Sequence, residues 1–354
     1  MIVDAHLDLA YCALRYGRDL FLTLEEARRV EQARPTDNGW PTVTIPTLRQ
    51  GQIGLVFSTL FVMPQHMNDV PDNKKQAYRT AAQAHTAASQ QLDYYHRLAD
   101  THGDIRLVTS AADLRDVQAS QTTDNPLLGL VVLMEGADPI REPAEVEMWY
   151  ERGVRLIGPA WDDTAYAAGA WRGTQEGFTK KGWELLERMA ELKLILDLTH
   201  LGEQGVTEAL ERYDGRIVAT HSNCRTIAPH VEQRNLTDDH IRLLGERGGV
   251  MGMVLYNRFL KKGHGKGERK ELVTLDHVVA HVDHVCQLLG TADHVAIGSD
   301  FDGGFGWADI PAELNSAADL HLIGNKLAER GYAAAEVANI MGGNWVRLLA
   351  ETWA

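Results

Sequence analysis

Three shortages in the 354-residue chain each exclude a class of answers. Cysteine is scarce: Cys12, Cys224 and Cys286 are the whole set, and no two show C-x-x-C spacing. An odd, sparse set builds no disulfide framework and fits a reducing cytoplasm. Positive charge is outweighed, with 35 Lys and Arg against 49 Asp and Glu, a net of -14. A chain that acidic repels phosphate backbones, so nucleic acid is not an expected partner. Long apolar runs are missing: none nears the roughly 18 residues of a membrane-spanning helix. The opening MIVDAHLD puts an acid at position 4, with no basic segment before it and no apolar stretch after it. No secretory leader is expected from that pattern. The closing VRLLAETWA likewise has no apolar tail of the lipid-anchor kind. These readings predict a cytoplasmic protein without membrane contact.

The remaining composition is that of an ordinary globular chain, 44% hydrophobic and 24% charged. Eight short apolar runs recur, each followed by a turn and a helix-like stretch. They are IVDAH (2–6), GLVFSTLFV (54–62), LGLVVLME (128–135), GVRLIGPA (153–160), LILDLTH (194–200), RIVATH (216–221), GVMGMVLY (249–256) and HVAIGSD (294–300). Near-continuous Val, Ile and Leu suit parallel strands covered on both faces. The intervening stretches carry helical periodicity, as in 74–103, in 178–193 with Thr179 as N-cap, and in 275–290 ending at Gly290. Eight strands alternating with helices predict a (β/α)₈ TIM barrel, with a doubly wound open sheet as the competing architecture. We expect one domain over 1–354, with loop insertions over the mouth of the barrel. The turn-rich segment from about 15 to 50 is one of them, and IRLV (105–108) is read as peripheral to the ring.

In such barrels the chemistry sits at the C-terminal ends of the strands. Those ends carry His6 and Asp8, Glu135, His200, His221 and Asp300. One histidine after a strand is usually a hydrogen-bonded loop residue; five strands delivering His or carboxylate to one rim point to metal. Imidazole and carboxylate without thiolate suit Zn²⁺. Three histidines and two carboxylates exceed what one tetrahedral ion with an open position needs. They suit two ions, roughly 3.5–4 Å apart, sharing a bridging carboxylate. Glu135 stands alone on its strand and is the natural bridge. His6 and Asp8 then complete one ion's ligands, and His200 and His221 the other's. A water between two such ions loses a proton near neutral pH and becomes a nucleophile. Asp300, not needed as a ligand, is left to move the proton to the leaving amine.

The stretches DAHLD, GQIGLVFS, LMEGAD, GVRLIGPAW, GFTKKGWELLERMAELKLILDLTHLG, ATHSNCR, RNLTDD, GSDFDGG and IMGGNW run along nearly the whole chain. Together they resemble the membrane dipeptidase (renal dipeptidase) family of amidohydrolase-type barrels. The H-x-D opening separates that family from the H-x-H of most amidohydrolases. The resemblance implies a bridging Glu135, with His6 and Asp8 on one zinc and His200 and His221 on the other. It also implies Asp300 as the acidic catalytic residue, Arg234 as the contact to the substrate's C-terminal carboxylate, and Tyr256 in the pocket wall. A dipeptide is then the expected substrate, with a D-residue at its second position among the options. Dimers are common among similar proteins, so a homodimer is also an expectation. One position departs: similar dipeptidases carry a histidine after the fourth strand, and here that position is Trp161. Indole donates one hydrogen bond and carries no charge, so hydrolysis of another amide or of a lactone is the competing function.

Other residues receive plainer readings. His277, His281 and His284 share one helix face outside the barrel and are read as packing. Asp302 is read as shaping the loop beside Gly303 and Gly304. Asp197 either orients a neighbour or is satisfied in the core. Gly342 and Gly343 serve close packing. Trp161, Tyr166 and Trp171 form either a pocket wall or loop packing.

Overall fold

The computed structural model describes residues 1–67, 76–171, 174–265 and 267–354. Eight parallel strands make its frame: β1 (Ile2–Leu7), β2 (Ile53–Phe61), β3 (Leu128–Glu135), β4 (Val154–Gly158), β5 (Ile195–Asp197), β6 (Ile217–Val218), β7 (Met251–Met253) and β8 (Val295–Ile297). Strands β1 to β6 are paired in chain order, and β7 pairs with β8. A parallel bridge between Ala219 and Met251 joins β6 to β7. The ring closes between β8 and β1. There Asp300 N donates to His6 O at 3.2 Å, and the Asp4 carboxylate accepts from Ser299 N at 2.7 Å and Ser299 Oγ at 2.5 Å. A doubly wound sheet would reverse its strand order at one point; this order is monotonic and closed, so the fold is a TIM barrel.

All eight expected strands are present, and the later ones are shorter than their apolar runs. In LILDLTH the ladder ends at Asp197, and the chain turns before His200, whose φ is 69°. The end of each run leaves the sheet in order to deliver its polar residue. IRLV lies outside the ring, as the sequence indicates, but Ile105–Leu107 is a true strand that pairs with the first half of β3. The helix expected over 74–103 is cut back to Ala81–Thr101, capped by Thr80. Ala77–Tyr78 instead pairs with Met63–Pro64, and residues 74–75 lie outside the described residues. The helix Lys180–Glu191 has Thr179 Oγ1 accepting from Gly182 N at 3.0 Å, and Leu275–Leu289 ends at a left-handed Gly290, both as the sequence indicates.

Side chains from alternate strand positions fill the barrel interior: Val3, Ala5, Leu55, Phe57, Val131, Leu133, Leu156, Ile195, Val218 and Ala296 are fully buried. The helix Asn344–Thr352 closes the N-terminal end of the barrel. Its Trp345 ring packs 5.1 Å from Phe57, and its Nε1 donates to Ile297 O at 3.0 Å. Asn344 Nδ2 donates to Ala292 O and Val295 O at 2.7 and 2.8 Å. On the far side, Gly252 and Gly298 admit the Thr220 carbonyl so closely that a Cβ would stand 2.0 and 1.8 Å from it. Among the described residues no helix is long and apolar enough to cross a membrane.

Candidate active site

The strand ends bring the expected residues together. His6 Nε2 lies 3.7 Å from Glu135 Oε2 and 3.7 Å from Asp300 Oδ1. The other Glu135 oxygen, Oε1, lies 3.1 Å from His200 Nε2 and 3.4 Å from His221 Nε2. His200 Nε2 and His221 Nε2 are 3.1 Å apart. His6, Glu135 and His221 form one compact donor group, and His6, Asp8 and Asp300 form a second. Asp300 therefore stands within the ligand cluster itself, closer to His6 than a residue held apart from the donors would be.

Burial sets the electrostatics here. It pushes the His6 imidazole down to about 3, with the Arg234 charge adding to the effect. His200 and His221 are pushed well below the ordinary histidine range by the same desolvation. All three rings are thus neutral donors with lone pairs. The carboxyls move the other way. Asp8 is pushed up to about 7 by burial and by Asp302, while Glu135 and Asp300 are driven well above the usual range by burial and then by Asp8. Lone pairs and carboxylates crowded in a dry site repel one another, and a cation removes that conflict. The donor chemistry fits a metal centre.

The surrounding layer orients the rings. Thr220 Oγ1 donates to Asp197 Oδ2 at 2.5 Å, which leaves its oxygen to accept from His221 Nδ1 at 3.0 Å. That arrangement turns the His221 Nε2 lone pair toward Glu135. Asp197 also accepts from Thr199 N and Thr220 N, so it orients a neighbour and is satisfied in the core at once. His200 and Asp300 both sit at left-handed φ, 69° and 58°. Such backbone is costly for a non-glycine residue and clusters at functional sites.

A cavity of about 270 Å³ opens over the cluster, lined by Asp8, Glu135, His200 and Asp300 and walled by Trp161, Trp171, Tyr256, Phe259 and Phe305. Trp161 stands against Phe61 and His200, with ring centroids 5.1 and 5.9 Å away. Tyr166 is not part of the wall; it is fully buried and donates its hydroxyl to Ile140 O. Arg234 is buried behind His221, donating to His221 O at 2.8 Å and Ser222 Oγ at 3.2 Å. Its Nε has no partner among the described residues, and it is not among the residues that line the cavity.

The family model described as membrane dipeptidase (peptidase family M19) matches residues 1–353. The chain belongs to that family. It is a hydrolase of the metallo-dipeptidase class, and its cofactor is a metal. A solved structure of the dipeptidase AC, a metallo peptidase of family M19, superposes with a TM-score of 0.82 at 25% identity, covering 99% of this chain and 98% of that one. A metallo peptidase from Rhodobacter sphaeroides, liganded with a phosphinate mimic of the dipeptide L-Ala-D-Ala, gives 0.79 at 26% identity, with 99% of each chain covered. Among curated sequences, an uncharacterized protein from the pqqA 5' region of Klebsiella pneumoniae is 32% identical, over 75% of this chain and 95% of its own length. The dipeptidase tcpJ of Claviceps purpurea is 26% identical, over 91% of this chain and 72% of its own.

Within this M19 barrel the plainer readings also find their places. Asp302 accepts from Thr42 N at 2.9 Å, Thr42 Oγ1 at 2.8 Å and Val43 N at 3.1 Å, and meets Arg18 Nη1 at 3.2 Å. It shapes its loop by tying the segment after β1 to the end of β8. His281 is buried between Cys224 N and Leu260 O, His277 receives Thr274 N, and His284 meets Asp238, so the histidine face is packing. A Cβ on Gly342 would stand 2.7 Å from Met1 O, as close packing demands. Sequence reasoning missed Asp4, Thr220 and Arg15. Asp4 had a signal, an acid inside an apolar strand, which must find a buried partner. Thr220 had none, because its partner Asp197 lies on another strand.

Proposed function

We propose that this chain is a binuclear zinc dipeptidase. His6, Asp8 and Glu135 would hold one ion, and Glu135, His200 and His221 the other. The observation that carries this reading is the split of Glu135, whose Oε2 faces His6 while Oε1 faces His200 and His221. Two zinc ions there supply Lewis acidity to a carbonyl and acidify water. The chain's own residues do the rest. Asp300 Oδ1, in the cluster 3.7 Å from His6 Nε2, takes a proton and passes it to the leaving amine. Arg234, one layer behind the cavity wall, would balance the substrate's C-terminal carboxylate by its charge rather than by direct contact. Trp161, Tyr256 and Phe305 exclude water and leave room for a small substrate. The phosphinate mimic of L-Ala-D-Ala on the Rhodobacter sphaeroides relative supports a D-residue at the second position. In this reading all of residues 1–354 serve one site as one domain.

Trp161 favours a second reading, hydrolysis of another amide or a lactone. It occupies the wall beside His200 with a single N–H to offer an oxyanion. Metal analysis joined to a substrate panel separates the two. We expect two zinc ions per chain and turnover of L,L- or L,D-dipeptides that chelation abolishes and zinc restores. Turnover confined to lactones or N-acyl amino acids would install the second reading, and a metal-free preparation with full activity would remove both.

A further inference from the structure

The cavity wall carries a cationic group that the reading above leaves without a task. Arg15 lies on the helix Leu9–Tyr16 that follows β1, and its side chain is 5% exposed. It lines the same cavity as Asp8, Glu135 and Asp300. Its Nη2 donates to Asp37 Oδ2 at 2.9 Å, while Nε and Nη1 are buried and make no well-formed hydrogen bond among the described residues, with only the Tyr11 and Tyr16 hydroxyls as weak neighbours. Arg18, one turn on, is spent differently: its guanidinium meets both Glu31 and Asp302, at 3.1 and 3.2 Å, and clamps the fold.

Buried N–H donors without partners cost stability unless a ligand completes them. Two features prepare Arg15 for one. The Tyr11 and Tyr16 rings lie 5.4 and 5.0 Å from its Cζ and hold the guanidinium in place. Tyr11 Oη, also on the cavity wall, is a further buried polar group whose one neighbour is Arg15, in poor hydrogen-bond geometry. The Asp37 carboxylate is 45% exposed, so its ion pair with Arg15 is bathed in water and weak. An incoming carboxylate would meet desolvated donors instead.

We propose that Arg15, with the Tyr11 hydroxyl beside it, is a specificity residue that receives a side-chain carboxylate of the substrate, so that the site favours dipeptides containing an acidic residue. This rests on the dipeptidase reading. Arg234, behind His221, answers the main-chain carboxylate, which leaves Arg15 for a second one.

The test compares kcat/KM for Ala-Glu against Ala-Gln and for Glu-Ala against Gln-Ala, in L,L and L,D forms, on the zinc-loaded protein. The wild type should favour the acidic member of one pair by about 10- to 100-fold, the worth of one or two hydrogen bonds to a charged group. In Arg15→Met the ratio should fall to about 1, and in Arg15→Glu it should drop below 1, in favour of the Gln member of the pair. A ratio taken within one preparation is indifferent to the folded fraction. A wild-type ratio near 1, or an equal fall on both members in Arg15→Met, overturns the proposal. If no dipeptide is cleaved, the dipeptidase reading fails, and binding of free glutamate against glutamine, followed by Trp161 and Trp171 fluorescence, decides for Arg15. Loss of glutamate binding alone in Arg15→Met supports the role; equal loss, or none, overturns it.

Discussion

The two ends of this barrel are built on opposite principles. At the N-terminal end, Trp345 packs on Phe57, and the side-chain N–H groups of Trp345 and Asn344 reach the carbonyls of β8 and of the turn before it. At the C-terminal end, the Nε2 atoms of His6, His200 and His221 converge on Glu135, Asp8 Oδ1 and Arg234 Nε are buried without partners, and His200 and Asp300 sit on left-handed backbone. One end maximises its own stability; the other holds groups whose partners are to come from outside the chain. The same contrast is repeated within three residues. Asp300 and Asp302 are both buried and both left-handed. Asp302 is saturated by Thr42, Val43 and Arg18, whereas Asp300 faces the cavity beside His6. Burial alone does not mark a functional acid; burial without internal satisfaction does.

Three substitutions bear on that contrast. The largest effect is expected at the mouth. Asp300→Asn should keep the metal content and the melting temperature while losing about 10²–10⁴ in kcat, the range for a general acid–base group. Undiminished hydrolysis by that variant would take Asp300 out of the chemistry and make it as structural as Asp302. At the floor, Trp345→Ala should cost about 3–5 kcal/mol of stability in denaturant unfolding. Its kcat/KM at low temperature should stay near wild type, and a large kinetic loss in the folded variant would show that the two ends are coupled. The smallest effect belongs to the layer between them. Thr220→Val breaks the link from Asp197 to His221 Nδ1 and should weaken zinc binding by about 10–100-fold in chelator competition. Unchanged affinity would mean that the His221 ring is oriented by packing alone.

Much of this was legible in the chain. The barrel could be read from eight apolar runs because a strand covered on both faces needs little beyond continuous Val, Ile and Leu. The ligand cluster could be read because a barrel turns the ends of distant strands to one rim, so residue type after each strand is enough. A cap makes a helix start legible when it is read: Thr179 gave the start of Lys180–Glu191, while the helix expected from 74 begins after Thr80, a cap of the same kind inside the periodic stretch.

The sequence by itself determined which donors stand at the strand ends, because that depends on local order along the chain. Only the tertiary structure decided that Asp4 clasps Ser299 to close the ring, that Thr220 links Asp197 to His221, and that Arg15 lines the cavity while Arg18 is paired with Glu31 and Asp302 inside the fold. Each of those depends on which remote atoms come within about 3 Å, the reach of a hydrogen bond, and no spacing along one chain encodes that distance.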